Sequence, residues 1–152
     1  MDSIDKKILR ILQKDSSLSV AEVAEKVNLS TTPCWRRIQN LEKEGVIEGR
    51  VAVLDEAALN LRTTVFVAVK TRHHDIEWFK TFSEAVSSIE EVVEFYRMSG
   101  DVDYLLKIVV PDIQAYDRVY KRLIQKVDLS DVSSSFAMEK LKCTTELPLD
   151  YV

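Results

Sequence analysis

Cysteine is scarce in this 152-residue chain, which has only Cys34 and Cys143. Two thiols so far apart are too few for a zinc-type ligand cluster, and nothing indicates an oxidising compartment where a disulfide would persist. The adjacent pair His73 and His74 adds no site, because neighbouring residues at a strand–helix connection do not present both rings to one ion. We therefore predict two free thiols and no metal.

Long apolar runs are also missing. No stretch approaches the ~20 residues that cross a bilayer, and the N-terminal sequence MDSIDKKILRIL is acidic-first and amphipathic. The sequence therefore predicts no membrane span and no secretory signal, and we expect a cytoplasmic protein.

Signals of catalysis are weak. Asp101 and Asp103 have the chemistry of an acid/base pair, but no nucleophile, phosphate-binding loop or convergent histidine accompanies them. Once two small domains are assigned, no residues remain for a catalytic domain. We predict no catalytic residue, no cofactor and no enzyme.

What the chain does have is a globular composition, with 46% hydrophobic and 30% charged residues. Its formal net charge of -4 is unevenly distributed. Residues 1–54 hold 9 Lys/Arg and 8 Asp/Glu, whereas residues 55–152 hold 12 and 17. The N-terminal part is thus free to present a local positive surface, so the acidic balance does not exclude a nucleic-acid partner.

Residues 1–54 predict three short helices. Apolar residues recur at helical spacing from Ile4 to Leu12, behind Asp2 or Ser3 as a cap. Ser19 followed by Glu22 forms a capping box for the second helix. That helix breaks at Asn28-Leu29, and Ser30 is placed to cap a third helix with Pro33 in its first turn. The short second connection favours a helix-turn-helix.

The third helix has two chemically different sides. At ~100° per residue, Cys34, Ile38 and Leu41 form the core side. The opposite side has residue types that contact DNA: arginine for guanine edges or phosphate, amides for adenine, and hydroxyls for phosphate near a helix N-terminus. The predicted DNA-binding residues are Ser30, Thr31, Thr32, Trp35, Arg36, Arg37, Gln39, Asn40, Lys43 and Arg50. The alternative is a solvated face on which Arg36 and Arg37 pair with Glu42 or Glu44.

After Gly45, the runs GVIEGR and VAVL around Gly49 are typical of a wing of two short strands that would carry Arg50. We predict a winged helix-turn-helix domain at 1–54 and a linker at 55–62. A second domain at 63–152 would include the C-terminal tail.

From Thr63 the pattern is β-α-β-β-α-β. The predicted elements are TTVFVAVK, Ile76 to Ser87, VVEFYRM, YLLKIVV, Ile113 to Val127 and DVSSSFAME. This order predicts a ferredoxin-like α+β sandwich. The strands lack clean alternation of apolar and polar residues, so the sheet face away from the helices also needs cover. We predict an obligate homodimer.

The segments LSTTPCWRRIQNLEKEGVI, SGDVDYLLKIVV and SSSFAMEKLKCTTELPL together resemble the Lrp/AsnC, or feast/famine, family of transcriptional regulators. The resemblance spans almost the whole chain. It implies a DNA-binding domain, an effector domain of the RAM type, dimers built through the C-terminal sheet, and assembly into higher oligomers such as octamers.

The resemblance also implies an amino-acid effector between subunits at the G-x-x-D-Y turn. Asp103 suits an α-ammonium, and the amides around Gly100 suit an α-carboxylate. The implied effector-binding residues are Met98, Ser99, Gly100, Asp101, Asp103, Tyr104, Ser134 and Ser135. Leucine, cysteine and other amino acids are all open. TTPCWRR and SSSFAME look closest to a cysteine-detoxification regulator of this family, which favours a sulfur amino acid.

These observations predict a sequence-specific regulator of amino-acid metabolism that binds double-stranded DNA. Two alternatives stay open. One is a nucleoid-type architectural protein that binds DNA with little sequence preference. The other is a metabolite-sensing scaffold that does not bind DNA.

Overall fold

The computed structural model of the chain describes residues 1–72 and 75–152. His73 and His74 lie outside the described residues, so the prediction about that pair stays a prediction. The elements are α1 (Ser3–Leu12), α2 (Val20–Lys26), α3 (Thr31–Lys43), β1 (Thr63–Lys70), α4 (Ile76–Ser87), β2 (Val92–Arg97), β3 (Tyr104–Val110), α5 (Ile113–Lys126) and β4 (Asp131–Phe136). None of the helices in the described ranges combines the length and apolarity that a membrane crossing requires.

Contacts divide the chain into two compact units. The first unit comprises Met1–Val53 together with Leu141–Val152, which we call the tail, and the second unit comprises Leu54–Lys140. The sequence had assigned the tail to the second domain, and this differs from the structure. The tail lacks the apolar periodicity that would have indicated its partner. It is held instead by polar groups of α1 and of Gln13 just beyond α1, and by its own Leu149, which packs against the core of the first unit.

The predicted linker at 55–62 is a compact turn of the second unit. The Asp55 carboxylate accepts hydrogen bonds from the amides of Ala57 and Ala58. Asn60 has a φ of 60°, the left-handed conformation that asparagine tolerates in turns. Short-range hydrogen bonding therefore orders a stretch whose apolar pattern had suggested only a connection.

The first unit is built on strongly capped helices. Asp2 forms a capping box with Asp5 at α1, and Ser19 forms the predicted one with Glu22 at α2. Asn28, with a φ of 56°, ends α2 in the left-handed region. Ser30 occupies the predicted N-cap position of α3, but its side chain makes no capping hydrogen bond. The three helices share a core that includes Ile8, Val23, Cys34, Ile38 and Leu41.

The two wing strands predicted around Gly49 are wrong for this chain. Residues 44–62 are all described and none of them is in a strand. A strand needs a hydrogen-bonded neighbour, and this part of the chain has none beside it. Val51 and Val53 are consequently 80% and 78% exposed.

The second unit confirms the predicted α+β sandwich. Its antiparallel sheet has the order β2-β3-β1-β4. Val65, Val67 and Val69 of β1 are fully buried in a core shared with α4 and α5. Alternate residues point the other way, and Phe66 on that face is 39% exposed. We call this side of the sheet the open face.

Candidate functional site

The core side predicted for α3 is the side that the structure buries. Cys34, Ile38 and Leu41 are buried. Burial raises the pKa of the Cys34 thiol, which keeps it a neutral core group. The predicted DNA-binding residues that are exposed are Ser30, Thr31, Thr32, Trp35, Arg36, Gln39, Asn40, Lys43 and Arg50.

Arg36 occupies the middle of this exposed face. Among the described residues it forms no ion pair, so its guanidinium is available to a ligand. Arg36 and Asn40 both line a surface cleft that also includes Glu44. A planar guanidinium next to an amide has the donors and acceptors needed to contact base edges.

Arg37 is placed differently from its neighbour. Its Nη1 lies 2.7 Å from Asp2 Oδ2 and 2.7 Å from Asp5 Oδ1. Its side chain is 31% exposed and that of Asp5 is 15% exposed. The predicted DNA contact of Arg37 therefore competes with two carboxylates at the start of α1. What the structure shows directly is a clamp that fixes α3 against α1.

We expect Arg37→Ala to lower the midpoint of thermal unfolding by about 5 °C at neutral pH, because Asp5 would lose its partner. Hydrogen bonds from the Asp5 amide and then from Arg37 lower the pKa of Asp2 from its usual 3.8 to about 2. A folded-state pKa below the unfolded value stabilises the fold above 3.8, and this contribution is lost as the pH falls towards 2. The difference in melting temperature between Arg37→Ala and the wild type should narrow over the same pH range.

Circular dichroism melts measure both effects. Arg36→Ala is the matched control, because it removes the same side chain one position earlier and breaks no ion pair. Equal melting temperatures for Arg37→Ala and the wild type would refute the clamp.

Arg50 and Gln39 share one acceptor. Arg50 Nη2 lies 2.7 Å from Glu42 Oε1, and Gln39 Nε2 donates to Glu42 Oε2 at 2.8 Å. The Arg50 side chain is 45% exposed. Exposed ion pairs of this kind contribute little free energy, so a phosphate can replace the carboxylate. The alternative in which Arg36 and Arg37 pair with Glu42 or Glu44 is not what the described residues show, because Glu42 contacts Arg50 and Gln39 while Arg37 contacts Asp2 and Asp5.

The predicted effector turn connects β2 to β3. Met98 is 43% exposed, and Ser99, Gly100 and Asp101 are also exposed. Gly100 has a φ of 114°, which L side chains rarely adopt, so the turn depends on glycine here. The Met98 amide donates to the Asp103 carbonyl at 2.8 Å and closes the turn. The tip therefore presents backbone amides, a hydroxyl and a carboxylate to solvent.

Asp103 joins this turn to the end of β1. Its Oδ2 accepts a hydrogen bond of 2.8 Å from the amide of Thr71, and its own amide donates to Val69 at 3.0 Å. Sequence reasoning missed Thr71, because only the fold brings it beside Asp103. The carboxylate suggested for an α-ammonium thus also has a structural role.

Three of the predicted effector residues do not join the turn. The Tyr104 ring is buried on the helix side of the sheet, with ring centroids 5.0 Å from Phe82 and 5.7 Å from Phe95. Ser134 also points to the helix side, where its hydroxyl contacts the Tyr116 hydroxyl. Burial raises the pKa of Tyr116, so this phenol stays protonated.

Ser135 lies on the open face but far from the turn. It pairs with Phe66 in the middle of β1, whereas the turn is level with Val69 and Val132. Three register positions correspond to about 10 Å along a strand. Within one chain, neither Ser134 nor Ser135 reaches the turn.

In residues 1–72 and 75–152, no set of three or more His, Cys, Asp or Glu side chains is placed to hold an ion. Cys34 is buried and Cys143 is exposed, and both are free thiols.

A helix-turn-helix with an exposed basic helix, followed by a βαββαβ domain, defines the class of two-domain DNA-binding regulators. Comparison with known families supports this class: "Winged helix-turn-helix DNA-binding" matches residues 1–48, and "Lrp/AsnC ligand binding domain" matches residues 64–147. The chain belongs to the Lrp/AsnC family of DNA-binding transcriptional regulators.

Individual relatives agree with the family. The chain is 49% identical to the DNA-binding transcriptional activator DecR of Escherichia coli K12 over 99% of both chains. An AsnC family transcriptional regulator from Agrobacterium tumefaciens is 66% identical, with a TM-score of 0.97 over 99% of both chains. A Neisseria meningitidis transcriptional regulator, solved as an L-Met complex, is 33% identical, with a TM-score of 0.94 over 99% of this chain and 98% of that one.

Proposed function

We propose that the protein is a sequence-specific transcriptional regulator of amino-acid metabolism whose dimers place two α3 helices in successive major grooves, roughly 34 Å apart. The observation that carries this proposal is the exposed Arg36, Gln39 and Asn40 face on a capped helix-turn-helix. Membership of a family of DNA-binding regulators supports it.

The exposed residues divide into two roles. Arg36 reads a guanine edge, and Gln39 and Asn40 read adenine. Phosphates are held by residues at the start and end of the helix and beyond it: Ser30, Thr31, Thr32, Lys43 and Arg50, with Trp35 as a flanking wall. Arg37 contributes by fixing the angle of α3 through its clamp with Asp2 and Asp5.

The dimer forms through the open face of the sheet. Phe66, Ala68 and Leu105 make this face apolar at its centre, next to the ion pair of Glu94 with Lys107 at 2.8 Å. An antiparallel sheet exposed to water would carry polar residues there. Dimers then associate into higher oligomers such as octamers.

The effector is a small amino acid bound between subunits at the β2–β3 turn. The amides around Gly100 and the hydroxyl of Ser99 take the carboxylate, and Asp103 pairs with the ammonium. A second subunit can supply its Ser135 to this turn, since Ser135 of the same chain lies too far away. The L-Met complex of the Neisseria relative supports a sulfur amino acid, with leucine as the next candidate.

The test is a fluorescence-anisotropy titration of labelled DNA from upstream of the protein's own gene, at several salt concentrations. L-Met, L-Cys, L-Leu and a panel of other amino acids are added in turn. We expect binding that outcompetes random DNA, weakens with salt through counterion release and shifts with one amino acid. Equal affinity for random DNA would favour the architectural alternative, and no binding at low salt would favour the scaffold.

The effector site has its own matched pair of variants. Asp103→Asn keeps an oxygen for the Thr71 amide but removes the charge, so we expect the amino-acid concentration for half effect to rise at least about tenfold. Asp101→Asn makes the same change at the exposed tip and should have a smaller effect. Binding of DNA alone should be unchanged in both. An unaltered effector response in Asp103→Asn would refute the assigned role.

A further inference from the structure

The tail lies along one side of α1 with opposite chain direction. The charged contacts are Arg10 Nη2 with Asp150 Oδ1 at 2.8 Å, Lys14 Nζ with Glu146 Oε2 at 3.6 Å, and Lys6 Nζ with the carbonyl oxygen of Val152. The residue numbers of the contacts decrease along the tail as they increase along α1. The two segments therefore lie side by side over their lengths. Two basic residues of α1 and one just beyond it, Lys14, thus face this acidic end of the chain.

The side chain of Gln13 binds the backbone of the tail. Its Nε2 donates to the carbonyl of Leu147 at 3.1 Å, and its Oε1 accepts from the amide of Leu147 at 3.0 Å. Both backbone groups of one residue are therefore satisfied, as a neighbouring strand would satisfy them. The Thr145 hydroxyl donates to the Gln13 carbonyl at 3.2 Å, and Leu149 packs against the core of the first unit.

These contacts are specific but exposed. The Arg10 and Asp150 side chains are 52% and 83% exposed. Exposed ion pairs are individually weak and are screened by salt. The tail is thus held in one register by contacts that can be released without unfolding the helices.

Through the docked tail, the first unit has a second connection to the rest of the chain. The chain passes to the second unit after Val53 and returns at Leu141, only a few residues after β4. Beside these crossings, Lys140 Nζ lies 2.7 Å from Glu56 Oε2, so the second unit holds both chain segments next to each other. The first unit is tethered at the Val53–Leu54 crossing and, when the tail is docked, through the tail as well.

We propose that the tail is a releasable clasp on α1 whose docking strengthens DNA binding. This inference rests on the proposed function. A unit held at two points has fewer orientations, which raises the effective concentration of the second recognition helix once the first has bound. Release of the tail lowers DNA affinity, and whatever changes the position of β4 can act on the clasp.

A charge exchange in the full-length protein tests the docking. Arg10→Glu and Asp150→Arg should each speed hydrogen–deuterium exchange in residues 141–152, and the double variant should restore the wild-type rate. Lys7→Glu is the matched control, because Lys7 is an exposed lysine of α1 that forms no ion pair among the described residues. Exchange in the tail that is the same in Arg10→Glu and in the wild type would refute the clasp.

Anisotropy titration then tests the link to DNA. We expect Arg10→Glu to weaken specific binding at least about threefold more than Lys7→Glu does, with recovery in the double variant. Equal losses of DNA affinity in Arg10→Glu and Lys7→Glu would mean that the tail does not influence DNA binding. A wild-type protein without DNA binding would refute the proposed function, while the exchange data would still decide whether the tail docks.

Discussion

Arg36→Ala should weaken binding to the specific DNA site by on the order of 10- to 100-fold, while random DNA loses far less affinity. A guanidinium that reads a base edge contributes through two hydrogen bonds, and alanine removes both. Thermal stability should stay at the wild-type level, because Arg36 makes no ion pair among the described residues. Anisotropy titrations on both DNAs measure the ratio.

Arg36→Lys separates base reading from phosphate contact. Lysine keeps the charge but not the planar fork, so a base contact would lose specificity and a phosphate contact would keep most of its affinity. Lys7→Ala is a charge-matched control at an exposed position of α1. A uniform loss on specific and random DNA, with the salt dependence reduced by about one ion, would reassign Arg36 to a phosphate.

Local signals predicted most of the first unit. The Ser19 and Glu22 capping box and the break at Asn28 depend on neighbours within a few residues, and the structure has both. The clamp of Arg37 could not be predicted in this way. It joins residues 32 and 35 positions apart, and no periodicity of α3 indicates which carboxylates face its flank.

In the second unit the strands were predictable from sequence, but the sheet face of each side chain follows only from alternation along the strand. Because side chains alternate along a strand, Ser134 and Ser135 cannot share a site within one chain. The strand pattern already implied this, whereas the family resemblance grouped the two residues. Tyr104 follows the same rule, since it is the first of the alternating buried positions of β3. The bond from Thr71 to Asp103 depends on strand pairing and had no local signal.

The tail and the wing show two different limits. Residues 141–152 have no periodic apolar pattern, so their docking on α1 depends on polar groups distant in sequence. The run at 51–54 has strand-forming residues but no strand beside it in the chain. Propensity predicts an extended conformation there, and pairing requires a neighbour that sequence pattern alone does not supply.

Phe66→Glu should convert the proposed dimer to monomers, with the dimer dissociation constant raised on the order of 100-fold. Phe66 lies at the centre of the open face, on a middle strand, and a carboxylate there would be buried without water in the dimer. The monomer should still fold, because position 66 pairs across the sheet with Lys107, next to which glutamate is well placed.

Ile124→Glu is the matched control for this interface. Ile124 is 42% exposed, close to the 39% of Phe66, but it lies on α5 and not on the sheet. Sedimentation velocity over a range of concentrations should show a monomer for Phe66→Glu and the wild-type assembly for Ile124→Glu. DNA affinity should fall in Phe66→Glu alone, because two linked recognition helices bind one site more tightly than either does separately. A Phe66→Glu protein that remained dimeric would place the subunit interface elsewhere and leave the apolar open face without its proposed cover.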